Sequence, residues 1–261
     1  MIDAGYAAAG ALTGFLVGIT GVGGGALMTP LLLVVFGVAP TTAIATDLWF
    51  AALTKIVGAS IHQRAGQIDW QVVKRLWMGS LPLALIVIIA IAAGEKIHKI
   101  DWLSQAIGLV VILTAIGMLF AGKLLEIARQ KRTGAHAQRF KRLQPPLTIL
   151  AGILLGSIVA LTSIGAGALG SVLLVYLYPL RMTPHRLIAT DLVHAIPLAM
   201  VAGMGYLIAG KVDGAMLLSL LSGSIPAVIF GSLLAGRISA HGVKRALALV
   251  LIAIGLKTLF G

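Results

Sequence analysis

Ten apolar stretches alternate with polar breaks along the chain, at about 4–20, 25–38, 42–61, 73–93, 103–122, 147–163, 168–180, 187–209, 214–235 and 243–260. A helix that crosses a bilayer needs about 20 residues, and segments three to five and eight to ten reach that length. The first two segments of each half are shorter, mostly 13–17 residues. Each short pair is joined by a glycine-rich stretch, Gly21-Val22-Gly23-Gly24-Gly25 in the first half and Gly165-Ala166-Gly167 in the second. Short apolar segments interrupted by glycine at corresponding places in two halves point to the binding site of a transporter.

The halves match at an offset of 144 residues. Gly21 falls on Gly165, Pro40 on Pro184, and Ile44-Ala45-Thr46-Asp47-Leu48 on Ile188-Ala189-Thr190-Asp191-Leu192. Gly66, Asp69, Gly79, Ser80 and Pro82 fall on Gly210, Asp213, Gly223, Ser224 and Pro226, giving 18 identities over the 62 positions 21–82 without a gap. Shared apolar composition scatters identities, but it does not produce a continuous IATDL with matching prolines and acids. The chain contains an internal repeat.

Composition decides what surrounds these helices. Of 261 residues, 59% are hydrophobic and 11% charged, with mean hydropathy +1.04. A soluble domain carries about 25% charged residues. The shortfall excludes a soluble enzyme, a nucleic-acid binder and a disordered chain. The net charge of +12 has a membrane explanation, because cytoplasmic loops concentrate Lys and Arg. The stretch 123–145 holds Lys123, Arg129, Lys131, Arg132, Arg139, Lys141 and Arg142 against one acid, Glu126, and is placed in the cytoplasm. Alternation then puts 15 of the 20 Lys and Arg inside and Lys96, Lys99, Lys211 and Lys257 outside, leaving Lys55 within the membrane.

Each half makes an odd number of crossings, whether its short pair spans the bilayer or folds back. The halves are therefore expected to be inverted, with both termini outside. No Lys or Arg precedes the first segment, so a cleaved signal peptide is not expected. With no Cys there is no disulfide, thiol nucleophile or Cys-based metal site. The expected fold is an all-α polytopic protein of the cell membrane with two inverted repeats, each a short glycine-linked helix pair plus three transmembrane helices. Its divisions are a first repeat (1–122), a basic cytoplasmic loop (123–146) and a second repeat (147–261).

Gly-Ile-Thr-Gly-Val-Gly-Gly-Gly at 18–25, a proline before the small-residue helix start at 40–46, and Thr-Ser-Ile-Gly-Ala-Gly-Ala-Leu at 162–169 resemble the TauE/SafE membrane transporters. The resemblance extends over about 5–258 and includes the central basic loop. It implies a carrier of sulfite, an organosulfonate or a related small sulfur-containing anion, with proton-coupled export as the mode. Many members have Ser where this chain has Asp47 and Asp191.

Those two acids lie about six residues into their helices, roughly 9 Å along the axis. Ionisable groups inside a membrane segment are costly and mark a functional site by default. They would couple a proton or a cation, serve structurally as hydrogen-bonded acids, or select the substrate. Lys55 is two turns beyond Asp47, with His62 seven residues further on, and all three share a helix face. An ammonium there either attracts an anion or neutralises Asp47. His194 follows Asp191 by three residues and would share its proton, donate to an oxyanion or hydrogen-bond within the bundle.

Glycines 21, 23, 24, 25, 165 and 167 (Gly21, Gly23, Gly24, Gly25, Gly165 and Gly167) allow close backbone approach. They precede helix N-termini, whose free N–H groups and partial positive charge suit an anion; tight helix packing is the alternative. Thr20, Thr46, Ser163 and Thr190 are hydroxyls placed to assist. Neither glycine run has the Lys-Ser/Thr ending of a phosphate loop. Pro82 and Pro226 would kink their segments or act as hinges for alternating access. Trp49, Trp70, Trp77 and Trp102 suit the interfacial aromatic belt, and His136 lies in the solvated basic loop.

The leading reading is a secondary transporter of a small anion working by alternating access between halves, in lipid and able to form homo-oligomers, without nucleic acid, metal or cofactor. A carrier of Na⁺ or another small solute through Asp47 and Asp191 is the alternative within transport. A non-transport assembly partner is the alternative outside it. No nucleophile–base pair argues for an enzyme.

Overall fold

The structure, a computed structural model, describes residues 2–20, 25–62, 68–92, 100–130, 136–234 and 240–260. It contains ten helices in the order α1 (Ala4–Thr20), α2 (Gly25–Val34), α3 (Pro40–His62), α4 (Trp70–Ala92), α5 (Ile100–Gln130), α6 (His136–Thr162), α7 (Ala168–Leu177), α8 (Pro184–Ile208), α9 (Gly214–Leu234) and α10 (Ala240–Phe260), and no strand among the described residues. The protein is all-α, as expected.

The repeat-matched residues start the helices. Pro40 and Pro184 open α3 and α8, where the missing N–H costs nothing and the fixed φ favours the helix. Asp69 and Asp213 stand just before α4 and α9. Asp69 Oδ1 accepts from Val72 N (3.3 Å) and Asp213 Oδ1 from Met216 N (2.9 Å), so each caps the first turn.

Six helices are long and apolar enough to cross a membrane, α3, α4, α5, α6, α8 and α9, while α1 and α7 are shorter apolar helices. The set differs from the expected one at two places. Helix α6 joins it because its apolar run begins at Phe140 rather than at 147. Helix α10 has 21 residues but carries Lys244, Arg245 and Lys257 near its ends, and it falls outside the six. The stretch read as the loop 123–146 is largely helical, since α5 continues to Gln130 and α6 starts at His136. Leu124, Leu125, Glu126 and Ala128 are good helix formers, and a helix leaving the apolar layer keeps its backbone bonds in water.

Helices α3 and α8 pack on each other at the centre, α1 packs on α9, α4 on α6, and α5 on α10. Exchanging the halves maps this set of pairings onto itself. Early residues of α3 meet late residues of α8, since Trp49 Nε1 donates to Gly203 O (3.0 Å). Just beyond the helix ends, Thr46 Oγ1 accepts from Asp213 N (3.2 Å), and Thr190 Oγ1 accepts from Asp69 N (3.1 Å). The two central helices are thus antiparallel, and the two cross-links are equivalent at the 144-residue offset.

Along α1, Gly10, Gly14 and Gly18 lie against Leu220, Ser224 and Val228 of α9 in turn, so these two helices are parallel. A Cβ at Gly10 would stand 2.0 Å from the Leu220 carbonyl oxygen. This is the close approach that small residues permit in a membrane.

Ile44, Leu48, Ile107, Val111, Leu198 and Leu251 belong to the main buried cluster. Outward faces are equally apolar, with Leu85, Ile86 and Ile89 of α4 and Leu218, Phe230 and Leu233 of α9 exposed. Charge is sorted by end. Lys74, Arg75, Arg129, Lys141, Arg142, Arg181, Arg186, Lys244 and Arg245 gather where α4, α6, α8 and α10 begin, whereas Lys211 and Lys257 lie at the opposite end.

Candidate functional site

Asp47 and Asp191 occupy equivalent places on α3 and α8, and both are fully buried. Each meets the short helix of its own half. Thr29 Oγ1 of α2 donates to Asp47 Oδ2, while Oδ1 has no partner. Asp191 lies against Gly170 in the first turn of α7, where an added Cβ would come within 2.5 Å of Oδ1. Neither Asp191 oxygen has a hydrogen-bond partner among the described residues. The asymmetry follows from the repeat itself, because the residue at the offset equivalent to Thr29 is Leu173.

Lys55 lies two turns further along α3 with only 3% of its surface exposed. Among the described residues, no carboxylate comes within 4.0 Å of its Nζ. Asp191 and Asp47 nevertheless act on it electrostatically, at longer range through a medium that screens weakly. Lys55 lines a cavity of about 10 Å³ together with Ser163, Gly165, Ala166, Gly167 and Ala26. That is room for about one water molecule.

The cavity wall is an unusual turn. Ser163 has φ 60° and Gly165 φ 117°; for a serine the left-handed conformation costs roughly 1–2 kcal/mol. Such strain persists where the surroundings impose it, and it clusters at functional sites. The Ser163 hydroxyl neighbours Asp47, yet its buried Oγ has no hydrogen-bond partner. Gly167 then opens α7 without a side-chain cap, leaving the positive end of the helix dipole beside the cavity.

His194 belongs to the same buried region but points elsewhere. Its Nε2 shares a 3.0 Å hydrogen bond with Ser80 Oγ of α4, its Nδ1 has no partner, and its carbonyl accepts from Trp77 Nε1 (3.2 Å). In the other half, Ser224 is bonded to Thr54 (3.0 Å).

The structure therefore brings Lys55, Ser163, Gly165 and Gly167 to one cavity, with Asp47 and Asp191 behind it. Thr46 and Thr190 bind backbone N–H groups of the opposite half rather than face the cavity. Thr20 Oγ1 donates to Leu16 O of its own helix. Gly25 begins α2, next to the cavity-lining Ala26. Gly21, Gly23 and Gly24 lie outside the described residues, as do the side chains of His62, Trp102 and His136. Trp49 and Trp77, expected in the interfacial belt, instead donate to carbonyls of α8; Trp70 is exposed.

Sequence reasoning missed Thr29, Gly170 and Ser80. The pairing of Ser80 with Ser224 in the repeat was a usable signal for the last. Nothing local marked the other two. No group of three or more metal-binding side chains occurs among the described residues.

The family model described as "Sulfite exporter TauE/SafE" matches residues 6–258. The chain belongs to the TauE/SafE family. Among TauE/SafE relatives, the "Probable membrane transporter protein YjnA" of Bacillus subtilis (strain 168) is 37% identical over 250 residues, 95% of this chain and 96% of its own length. A "Probable membrane transporter protein" of Xylella fastidiosa (strain 9a5c) is 27% identical over 256 residues, 95% of this chain and 91% of its own. A third relative, YdhB of B. subtilis (strain 168), is 28% identical over 256 residues, covering 95% and 97%. No solved structure matches. As a member of this family, the protein is an integral membrane transporter of a small solute and not an enzyme.

Proposed function

We propose that the protein exports sulfite or an organosulfonate by alternating access between two inverted repeats, with Asp47 and Asp191 coupling a proton. The observation that carries the reading is Lys55. An ammonium buried among apolar helices, with no carboxylate in contact among the described residues, beside a strained glycine turn and an uncapped helix N-terminus, is suited to a small anion. The family model's description, sulfite exporter, supports the choice of cargo.

The mechanism follows from size and charge. A cavity of about 10 Å³ holds a water but not a sulfite or sulfonate, so loading requires the wall at 163–167 to move away from α3. Cargo then binds between Lys55 on one half and the Ser163–Gly167 turn on the other, and separation of these surfaces toward either side alternates access. Antiparallel α3 and α8 with their equivalent threonine–aspartate cross-links are the geometry that two inverted halves require. The basic end of the bundle faces the cytoplasm on this reading, following the positive-inside rule, and concentrates anions on the loading side.

The test is sulfite flux in proteoliposomes under an imposed pH gradient, comparing the unmodified protein with Asp47→Asn, Asp191→Asn and Lys55→Gln. Expected are gradient-driven flux in the unmodified protein, loss of the gradient response in both Asn variants, and weakened sulfite saturation in Lys55→Gln. Flux unchanged in the Asn variants would reduce the acids to structure. An unmodified protein that moves neither sulfite nor a competing sulfonate would refute the choice of cargo.

A further inference from the structure

A second concavity, apolar in most of its lining but rimmed by cations, lies at the basic end of the bundle. Phe140, Lys141, Gln144, Tyr178, Arg181 and Arg186 line a cavity of about 630 Å³, ample for a small anion with its water. The end of α7 and the segment leading into α8 line it, and side chains from three other helices hold that stretch in place. Arg75 Nη1 donates to Tyr178 Oη (3.3 Å), Arg129 Nε to Pro179 O (3.4 Å), and Gln144 Nε2 to Leu177 O (2.8 Å).

Charge in this vestibule does not balance. Asp69, whose side chain is 1% exposed, is gripped by a two-pronged Arg181, with Nη2 donating to Oδ1 (2.7 Å) and Nε paired with Oδ2. Arg181 Nη1 is taken by Gln71 Oε1 (2.9 Å). That fork already satisfies one carboxylate. Arg186 reaches the same Oδ2 through Nη2 at 3.2 Å, is 36% exposed, and keeps a buried Nε with no hydrogen-bond partner among the described residues. Lys141 adds a further cation, and no carboxylate lines the cavity.

We propose that this vestibule is a docking site for a small oxyanion, held by Lys141 and Arg186 in competition with Asp69. The same chemistry would recognise free cargo or the phosphate of a lipid headgroup; the cargo form rests on the anion-export reading above. Docking reaches the central site by a short route. Asp69 N is bonded to Thr190 Oγ1 (3.1 Å), one residue from Asp191, so drawing Arg186 away from Asp69 loosens the joint between the halves at this end. The device is one-sided in the repeat, because the positions equivalent to Arg181 and Arg186 are Gly37 and Thr42, which supply no arginine for Asp213.

The experiment is calorimetric titration of sulfite into the full chain in nanodiscs of zwitterionic lipid at low salt, with Lys141→Gln, Arg186→Gln and Asp69→Asn in parallel. Lys141→Gln should weaken binding about threefold and Arg186→Gln about tenfold, as expected for half-exposed charges. Asp69→Asn, which removes the internal competitor, should tighten it. Opposite signs distinguish docking from a structural role, in which all three would weaken it. Lys141 is exposed and Arg186 half-exposed, so their variants keep the test alive if Asp69→Asn, at a buried position, fails to fold.

Phosphatidylglycerol in the disc should lower sulfite affinity in the unmodified protein but not in Arg186→Gln if a lipid phosphate takes the site. An affinity indifferent to lipid charge assigns it to free anion. Sulfite binding lost in Lys55→Gln but untouched by the vestibule variants overturns this proposal and leaves the central site standing. No sulfite binding to the unmodified protein in either disc overturns both.

Discussion

One methyl group added at Gly170 would land on the carboxylate of Asp191. The new Cβ would stand 2.5 Å from Oδ1. Ordinary contact for such a pair begins at 3.4 Å, so about 0.9 Å must open in a close-packed interior. Asp191 has a short side chain on a fully buried helix, and little free space receives it. The separation must come from displacing α7 or from turning the carboxylate out of its place. Overpacking of this kind costs about 1–3 kcal/mol.

The assay is a double-mutant cycle on unfolding in mixed micelles, with Gly170→Ala, Asp191→Ala and the pair. Because Asp191→Ala removes the atom that clashes, the cost of Gly170→Ala should fall to near zero in that background, giving a coupling of about 1–3 kcal/mol. Sulfite flux supplies the functional reading, since Gly170→Ala alone should fall well below the unmodified protein while remaining folded. An equal stability cost in both backgrounds would refute the argument, because the strain would then lie elsewhere than at the carboxylate.

Three other outcomes follow from the same geometry. Ser163→Gly should raise stability by about 1 kcal/mol by relieving the φ of 60°, while lowering sulfite flux through loss of the hydroxyl; a lower melting temperature would contradict the strain argument. Gly10→Ala, whose Cβ would meet a backbone oxygen at 2.0 Å, should sharply reduce folded yield in detergent, whereas Gly117→Ala, 3.4 Å from the Val172 side chain, should leave it unchanged. Equal behaviour of the two would count against close packing of α1 on α9. Since the chain has no Cys, Arg142→Cys and Lys211→Cys each provide a single label, and a membrane-impermeant maleimide should reach them from opposite faces, Arg142 from the cytoplasm. Labelling of both from one face would overturn the assigned orientation.

By itself the sequence determined the kind of molecule and much of its local structure. Apolar runs of bilayer length, the scarcity of charge and the 144-residue repeat are properties of composition and order along the chain. A proline at a helix start or an aspartate before a first turn acts on residues three or four positions away. Pro40, Pro184, Asp69 and Asp213 could therefore be placed before any fold was known. Lys55 stood out because a lone base in an apolar segment needs a reason wherever its helix packs. The ends of α5 and α6 were harder, since a helix that emerges into water obeys propensity rather than hydropathy.

What only the tertiary structure decided is who meets whom. The glycines of α1 announce that a backbone comes close, but not that it is α9, more than two hundred residues away. Asp47 finds a hydroxyl on α2 and Asp191 finds none, although the two acids sit in identical pentapeptides. The sequence counts Arg181 and Arg186 only among the bases on the inside; the fold sets Asp69, from the other half, against them. Packing complementarity is a sum over many weak contacts between distant segments, and no short stretch of sequence contains it. The site residues could be nominated from the chain, but their partners, and hence their chemistry, come from how ten helices share one small volume.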